Sequence, residues 1–195
     1  MEIWIATNNQ KKALEYQKIF SPYDIKVKTL IDLENEINIE ETSDTYEGNA
    51  ILKAQTLADM FDTTWLADDS GFEVDALDKE PGVYSARFLG EKTTYEVKNQ
   101  YIIDKLKDEK NRKCRFVCVI ALCKKNKKPE LFRGEVEGLV SFKIEGENGF
   151  GYDPIFYYPS LNKTFSQLSE SKKNEISHRG LACRKLMNYL NENII

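Results

Sequence analysis

The stretch that most constrains the fold of this chain is Leu66-Ala67-Asp68-Asp69-Ser70-Gly71-Phe72. A β-favouring apolar run, Thr63 to Ala67, ends in two adjacent carboxylates, a hydroxyl and a glycine, a pattern by which a strand delivers charge to the rim of a sheet. In α/β proteins that rim is where ligands bind. Neighbouring carboxylates repel each other and lose hydration when a pocket closes over them, so a cation must compensate. A hard divalent ion, magnesium first, suits them. Asp68 to Gly71 also reads as a polar turn closed by glycine, and this stretch alone leaves both readings open.

Around it, strand patterns alternate with helical ones. Ile3-Trp4-Ile5 is a short apolar strand that breaks at Thr7-Asn8-Asn9, after which Ala13, Tyr16 and Phe20 recur at helical spacing. A helix start in that position presents unpaired N–H groups and a positive dipole end to an anion, and Lys11 and Lys12 add charge; a solvated helix start has the same composition. Residues 25–30 and 37–39 read as a second and a third strand. Asp44-Thr45-Tyr46-Glu47 reads as a helix start with Asp44 as cap and Glu47 three residues later. Ala50, Ile51, Ala54, Leu57, Ala58 and Phe61 form its buried stripe. Asn49 and Lys53, one turn apart on a neighbouring face, offer an amide and an ammonium to a cleft, with a solvated Lys53 as the plain alternative.

Beyond Gly71, Phe72 and Val74 alternate with Glu73 and Asp75, a strand with one buried face. Pro81-Gly82 is a turn, and Arg87 is expected to anchor the next loop on a carboxylate. Residues 94–107 read as a surface helix with Tyr95, Val97, Tyr101, Ile102 and Leu106 apolar. Strands 114–123 and 131–144 read as an antiparallel pair, flanked by the basic runs 110–113 and 124–128, which read as solvated. Residues 145–154 pack three glycines, Phe150, Tyr152 and Asp153 into one loop. Such a loop either brings backbone and an aromatic ring onto a flat ligand or plugs the core with its aromatics. Ser177 is expected to cap a closing helix that carries His178 and Arg179 in its first turn and buries Leu186, Tyr189, Leu190 and Ile194.

The 195 residues, 41% hydrophobic and 31% charged, suffice for one domain over 1–195, arranged in two lobes. A net charge of −4 supplies no general basic surface for nucleic acid. No run reaches the ~20 apolar residues of a membrane span, and a cytoplasmic protein is expected. Cys114, Cys118, Cys123 and Cys183 lack a Cys-x-x-Cys pair and read as reduced; with His178 the one histidine, structural zinc is not expected.

Five blocks together resemble the inosine triphosphate pyrophosphatase family: Thr7-Asn8-Asn9-Gln10-Lys11-Lys12, Gly48-Asn49-Ala50 with Lys53-Ala54, the Asp68-Asp69 block through Arg87, Gly149-Phe150-Gly151-Tyr152-Asp153-Pro154, and Ser177-His178-Arg179-Gly180. The resemblance implies an α/β fold, a mixed twisted central sheet with flanking helices in two lobes around a substrate cleft. It implies magnesium-dependent hydrolysis of ITP, dITP and XTP to the monophosphate and pyrophosphate by a homodimer. It places Asp69 as catalytic group and, with Glu41 or its neighbour Glu40, as metal ligand. It assigns substrate contacts to Thr7, Asn9, Lys12, Lys53, Ser70, Phe150, Gly151, Tyr152, Asp153, Lys173, His178 and Arg179. Two positions depart from the family pattern. Asn8 replaces a glycine, and asparagine tolerates φ > 0, so the turn is expected to survive; Gly48 replaces a glutamate. A nucleotide sensor, or a pyrophosphatase for other modified nucleotides, is the alternative reading.

Overall fold

The computed structural model describes residues 2–33 and 37–193. Its strands are β1 (Glu2–Ile5), β2 (Lys26–Thr29), β3 (Trp65–Val74), β4 (Pro81–Gly82), β5 (Lys113–Cys123), β6 (Glu130–Val140), β7 (Phe156–Tyr158) and β8 (Lys163–Thr164). Its helices are α1 (Gln10–Phe20), α2 (Tyr46–Phe61), α3 (Tyr95–Lys105), α4 (Glu170–Ile176) and α5 (His178–Asn193). The fold is mixed α/β, with the strands ordered β2-β1-β3-β5-β6-β7-β8 and β4 paired to β3. The chain divides into two units, the described parts of Met1–Asp69, Cys118–Gly134 and Arg179–Ile195, and Ser70–Val117 with Glu135–His178.

In the first unit β1 runs parallel to β2, Glu2 opposite Lys26 through Ile5 opposite Thr29, and parallel to β3, Ile5 opposite Leu66. Parallel neighbours need a crossover, which α1 supplies. Asn9 starts that helix, its Oδ1 accepting from the Lys11 and Lys12 N–H groups at 3.0 and 3.2 Å. Tyr16 and Phe20 pack with Ile5, Leu66, Ile120 and Leu186. Helix α2 is capped by Thr45, not Asp44: the Thr45 backbone is extended and its hydroxyl accepts from Gly48 N–H at 3.1 Å, while Asp44 is exposed. Phe61 lies at the exposed end of α2, its ring 5.6 Å from that of Trp65. Residues 37–39 form no strand, because the Ile37 carbonyl accepts from the Asn8 side-chain amide at 3.0 Å instead of from a neighbouring strand. Asn8 itself does not take a positive φ. Ile194, expected in the α5 core, lies outside the described residues.

Strand β3 runs unbroken from Trp65 through Asp68, Asp69, Ser70 and Gly71 to Val74, correcting both the strand end at Ala67 and the polar turn. The cause is long-range. Successive strand residues face opposite ways, so each carboxylate meets its own partners and no turn is needed to separate them.

The second unit is built on aromatic rings. Phe72 stacks on Tyr152 at 5.0 Å, Phe116 meets Phe156 at 4.8 Å, and Phe165 meets Phe156 at 4.4 Å. Helix α3 buries Ile102, Ile103 and Leu106 and leaves Tyr95, Val97 and Tyr101 more exposed than their spacing predicts. It also buries Lys98, whose ammonium donates to the Ala86 carbonyl at 2.6 Å. Arg112 is likewise no solvated turn residue: it is buried and donates to the carbonyls of Leu106, Val140 and Ser141 at 2.7 to 2.9 Å. By holding those carbonyls it ends β6 at Val140 rather than Ile144. Strands β5 and β6 are neighbours joined by residues 124–129, a link short enough only for an antiparallel pair. Helix α4, absent from the sequence reading, is capped by Ser169.

Candidate active site

Asp68 and Asp69 share a strand and the fields of Lys12 and Lys53, but their hydrogen-bond and ion-pair partners differ. Asp68 is 1% exposed, with the Lys12 ammonium at 3.0 Å and an Arg179 Nη at 3.1 Å from the same Oδ2. The other Arg179 Nη pairs with Glu15, giving a Glu15–Arg179–Asp68–Lys12 chain of alternating charge, buried up to the half-buried Lys12. The Cys118 thiol donates to Asp68 across 3.9 Å. Burial alone would raise the Asp68 pKa; Lys12, Arg179 and Lys53 overwhelm it and hold the carboxyl far below the usual range. Burial opposes the charges of Lys12 and Arg179 too, yet the facing carboxylates push both pKa values up. Asp68 is therefore a fixed anion whose charge is already matched.

Asp69 faces the other way. It is 5% exposed and its Oδ2 accepts from Asn49 Nδ2 at 3.0 Å. Burial raises its pKa and Glu41 adds to the rise, against the opposing charges of Lys53 and Lys12. The half-buried Glu41 pairs with the Lys53 ammonium, which also donates to the Asp68 carbonyl at 2.7 Å. Glu40 is exposed, so Glu41 is the glutamate brought toward Asp69. Thr7 is buried, its hydroxyl accepting from Asn9 N–H at 3.1 Å. Among the described residues no three His, Cys, Asp or Glu side chains converge as a metal cage. Magnesium does not require one: one or two carboxylates, completed by substrate phosphates and water, are its ordinary protein ligands. Glu41 and Asp69, two hard oxygen donors, fit that description.

In the second unit, Asp153 is buried and accepts from Phe150 N–H at 2.8 Å and from the Lys173 ammonium at 2.6 Å. That ammonium lies 4.9 Å from the centre of the half-buried Phe150 ring. Gly149 must be glycine: φ is +77° and a Cβ there would sit 2.2 Å from Asp153 Oδ2. Gly151, also at positive φ, has its carbonyl held by the buried Asn99 amide at 3.1 Å. Tyr152 is a core plug, stacked on Phe72 with its hydroxyl donating to the Ser85 carbonyl at 2.8 Å. His178 lies flat on Phe116, centroids 4.7 Å apart, and is buried. Ser70 is half-buried in β3. Arg87 stacks over Tyr84 at 4.8 Å.

Two groupings thus emerge from the sequence-selected residues: Lys12, Glu41, Lys53 and Asp69 in one unit, Phe150, Asp153 and Lys173 in the other. Arg179, given a substrate contact by the resemblance, has its guanidinium on Glu15 and Asp68. Glu15, Asn49 as partner of Asp69, and Cys118 as partner of Asp68 escaped the sequence reading. Only the buried stripe of α1, in which Glu15 adjoins Tyr16, carries a local sign of the first.

The Ham1 family model matches residues 3–189. Over 186 residues, 95% of each chain, the protein is 46% identical to a dITP/XTP pyrophosphatase of Exiguobacterium sp.. It is 44% identical to a dITP/XTP pyrophosphatase of Staphylococcus aureus over 97% of this chain and 96% of the other. The solved structure of the Staphylococcus aureus Ham1 protein superposes with a TM-score of 0.89 at 43% identity, covering 98% of this chain and 99% of that one. A Mycobacterium abscessus nucleoside-triphosphatase / dITP/XTP pyrophosphatase gives 0.75 at 31% identity over 95% and 98%. The matched span takes in every residue of both groupings, and the chain belongs to the Ham1 family.

Proposed function

We propose that this protein hydrolyses ITP, dITP and XTP to the nucleoside monophosphate and pyrophosphate, removing deaminated purines from the nucleotide pool. The observation that carries the reading is the division of labour between adjacent carboxylates. Asp68 is neutralised by Lys12 and Arg179, whereas Asp69 has its proton affinity raised by burial and Glu41, as a general base requires.

In this reading Asp69 takes a proton from a water whose oxygen bonds to one phosphorus of the α–β linkage as that phosphorus's bond to the bridging oxygen breaks and monophosphate and pyrophosphate separate. Glu41 and Asp69 would hold magnesium, which when bound neutralises phosphate charge. Lys12, Lys53 and the N–H groups around Asn9 receive the departing pyrophosphate. Thr7 keeps that loop in shape. Phe150 stacks on the base beside Gly151 while Asp153 sets the Lys173 ammonium, a donor that suits a 6-oxo group and is mismatched to the amine of adenine. His178 and Ser70 are second contributors there. Arg179 acts through Asp68, and Tyr152 through the core beneath the loop. The two-lobed cleft, the homodimer and a cytoplasmic site of action belong to the same reading by resemblance.

The test is pyrophosphate release from ITP, dITP, XTP, GTP and ATP with magnesium or EDTA, for the protein and its Asp69→Asn variant. Metal-dependent release from ITP and XTP, slow release from ATP and collapse in the variant support the reading. Tight ITP binding without cleavage replaces it with the sensor.

A further inference from the structure

Asn49 is 0% exposed, in the first turn of α2, and both ends of its amide are engaged. Nδ2 donates to Asp69 Oδ2 at 3.0 Å, and Oδ1 accepts from the Ser43 backbone N–H at 2.9 Å. Chemistry fixes that orientation, since a carboxylate accepts only and an N–H donates only. Ser43 lies two residues beyond Glu41, in a segment with neither helix nor strand to stiffen it. One side chain therefore ties the loop bearing Glu41 to the strand position bearing Asp69.

Gly48 makes this seating possible. A Cβ at position 48 would lie 2.0 Å from Ser43 Oγ and 2.7 Å from Ser43 Cβ, so a residue with a side chain would push Ser43 off the helix. Ser43 Oγ also accepts from Thr45 N–H at 3.2 Å, next to the Thr45 hydroxyl that caps the helix. Glycine is a poor helix former, and here it is kept where helix propensity argues against it. The close approach of Ser43 leaves no room for a side chain at position 48 in this chain.

We propose that Asn49, seated by Gly48 against Ser43, is a positioning residue that sets the spacing of Glu41 and Asp69 and thereby the strength of divalent-cation binding. The inference rests on the function proposed above, in which these two carboxylates hold the metal. Groups that orient metal ligands without touching the metal govern affinity by about 10- to 100-fold.

The experiment measures Mn2+ binding to the substrate-free protein by calorimetry, and the Mg2+ concentration giving half-maximal ITP hydrolysis. The proteins are the wild type, Asn49→Ala, Gly48→Ala and the double variant Ser43→Gly/Gly48→Ala. Asn49→Ala is expected to weaken Mn2+ binding and raise the Mg2+ requirement by about 10-fold or more. Gly48→Ala shifts both in the same direction, and Ser43→Gly in that background recovers part of the shift, because two of the three colliding atoms are gone and Thr45 Oγ1, 2.9 Å from the added Cβ, remains. A purely structural role would lower thermal stability without moving the metal requirement. Should Asn49→Ala not fold, Gly48→Ala and its rescue decide, since position 48 is only half-buried. Folded Asn49→Ala or Gly48→Ala protein with wild-type metal affinity overturns the proposal and leaves the pyrophosphatase reading standing. A wild type that binds no Mn2+ and cleaves no triphosphate removes the reading itself, and the inference with it.

Discussion

Arg179→Met separates a guanidinium that serves the protein from one that serves a substrate. The side chain is 2% exposed and bridges Glu15 and Asp68, the latter at 3.1 Å. Methionine fills much of the same volume and leaves two buried carboxylates without that bridge. Removing one partner of a buried ion pair costs about 3–5 kcal/mol. Asp68 keeps Lys12 at 3.0 Å, which places the expected loss at the lower end, about 3 kcal/mol. For a chain of this length each kcal/mol moves Tm by about 2–4 °C, so a fall of about 6–12 °C is expected by circular dichroism. Glu15→Gln in the Arg179→Met background should cost less than the sum of the single changes, because the stranded carboxylate is gone. Arg179→Lys should recover only part, since an ammonium cannot fork across two carboxylates. A Tm within about 2 °C of wild type, together with loss of the preference for ITP over ATP, would refute the reasoning and return Arg179 to the base.

Four further outcomes follow from the same geometry. Asp69 has a folded-state pKa above its unfolded value, so its stabilising contribution is present below that value and lost as pH rises through the folded pKa; ionised Asp69 is a cost at neutral pH. Asp69→Asn should therefore abolish pyrophosphate release yet raise Tm in EDTA, and a lowered Tm would contradict the assignment. Asp68 has the opposite sign: its depressed pKa gives stability present above the unfolded value of about 3.9 and lost as pH falls through the folded one. Acid unfolding, followed by tryptophan fluorescence, should begin at higher pH in Arg179→Met than in wild type. Asn8→Gly should lower the urea midpoint, with about 0.4–1 kcal/mol from chain entropy and more from the lost bond to Ile37, since the native φ here does not call for glycine. Tyr152→Phe should cost about 1 kcal/mol through the bond to Ser85 while leaving the KM for ITP unchanged; a raised KM would move Tyr152 from the core to the substrate.

What periodicity could reach, it reached: β1, α1, β2, β5 and α5 stand where apolar spacing puts them. What it missed has one physical origin. Asp68-Asp69-Ser70-Gly71 is a turn by local chemistry and a strand in fact, because Lys12 and Arg179 settle the Asp68 carboxylate and Asn49 meets that of Asp69. Lys98 and Arg112 look like surface charges by composition and are buried, satisfied by backbone carbonyls, while Arg179, read as a substrate contact, is buried between two carboxylates far along the chain. Asn8 shows the same limit at a single residue, where backbone permissiveness predicts a left-handed turn and a side-chain bond to Ile37 is what forms. Two aspartates identical in type and adjacent in sequence thus end with pKa values pushed in opposite directions. The proposed chemistry uses that divergence, and the divergence is carried by the partners, not by the pair.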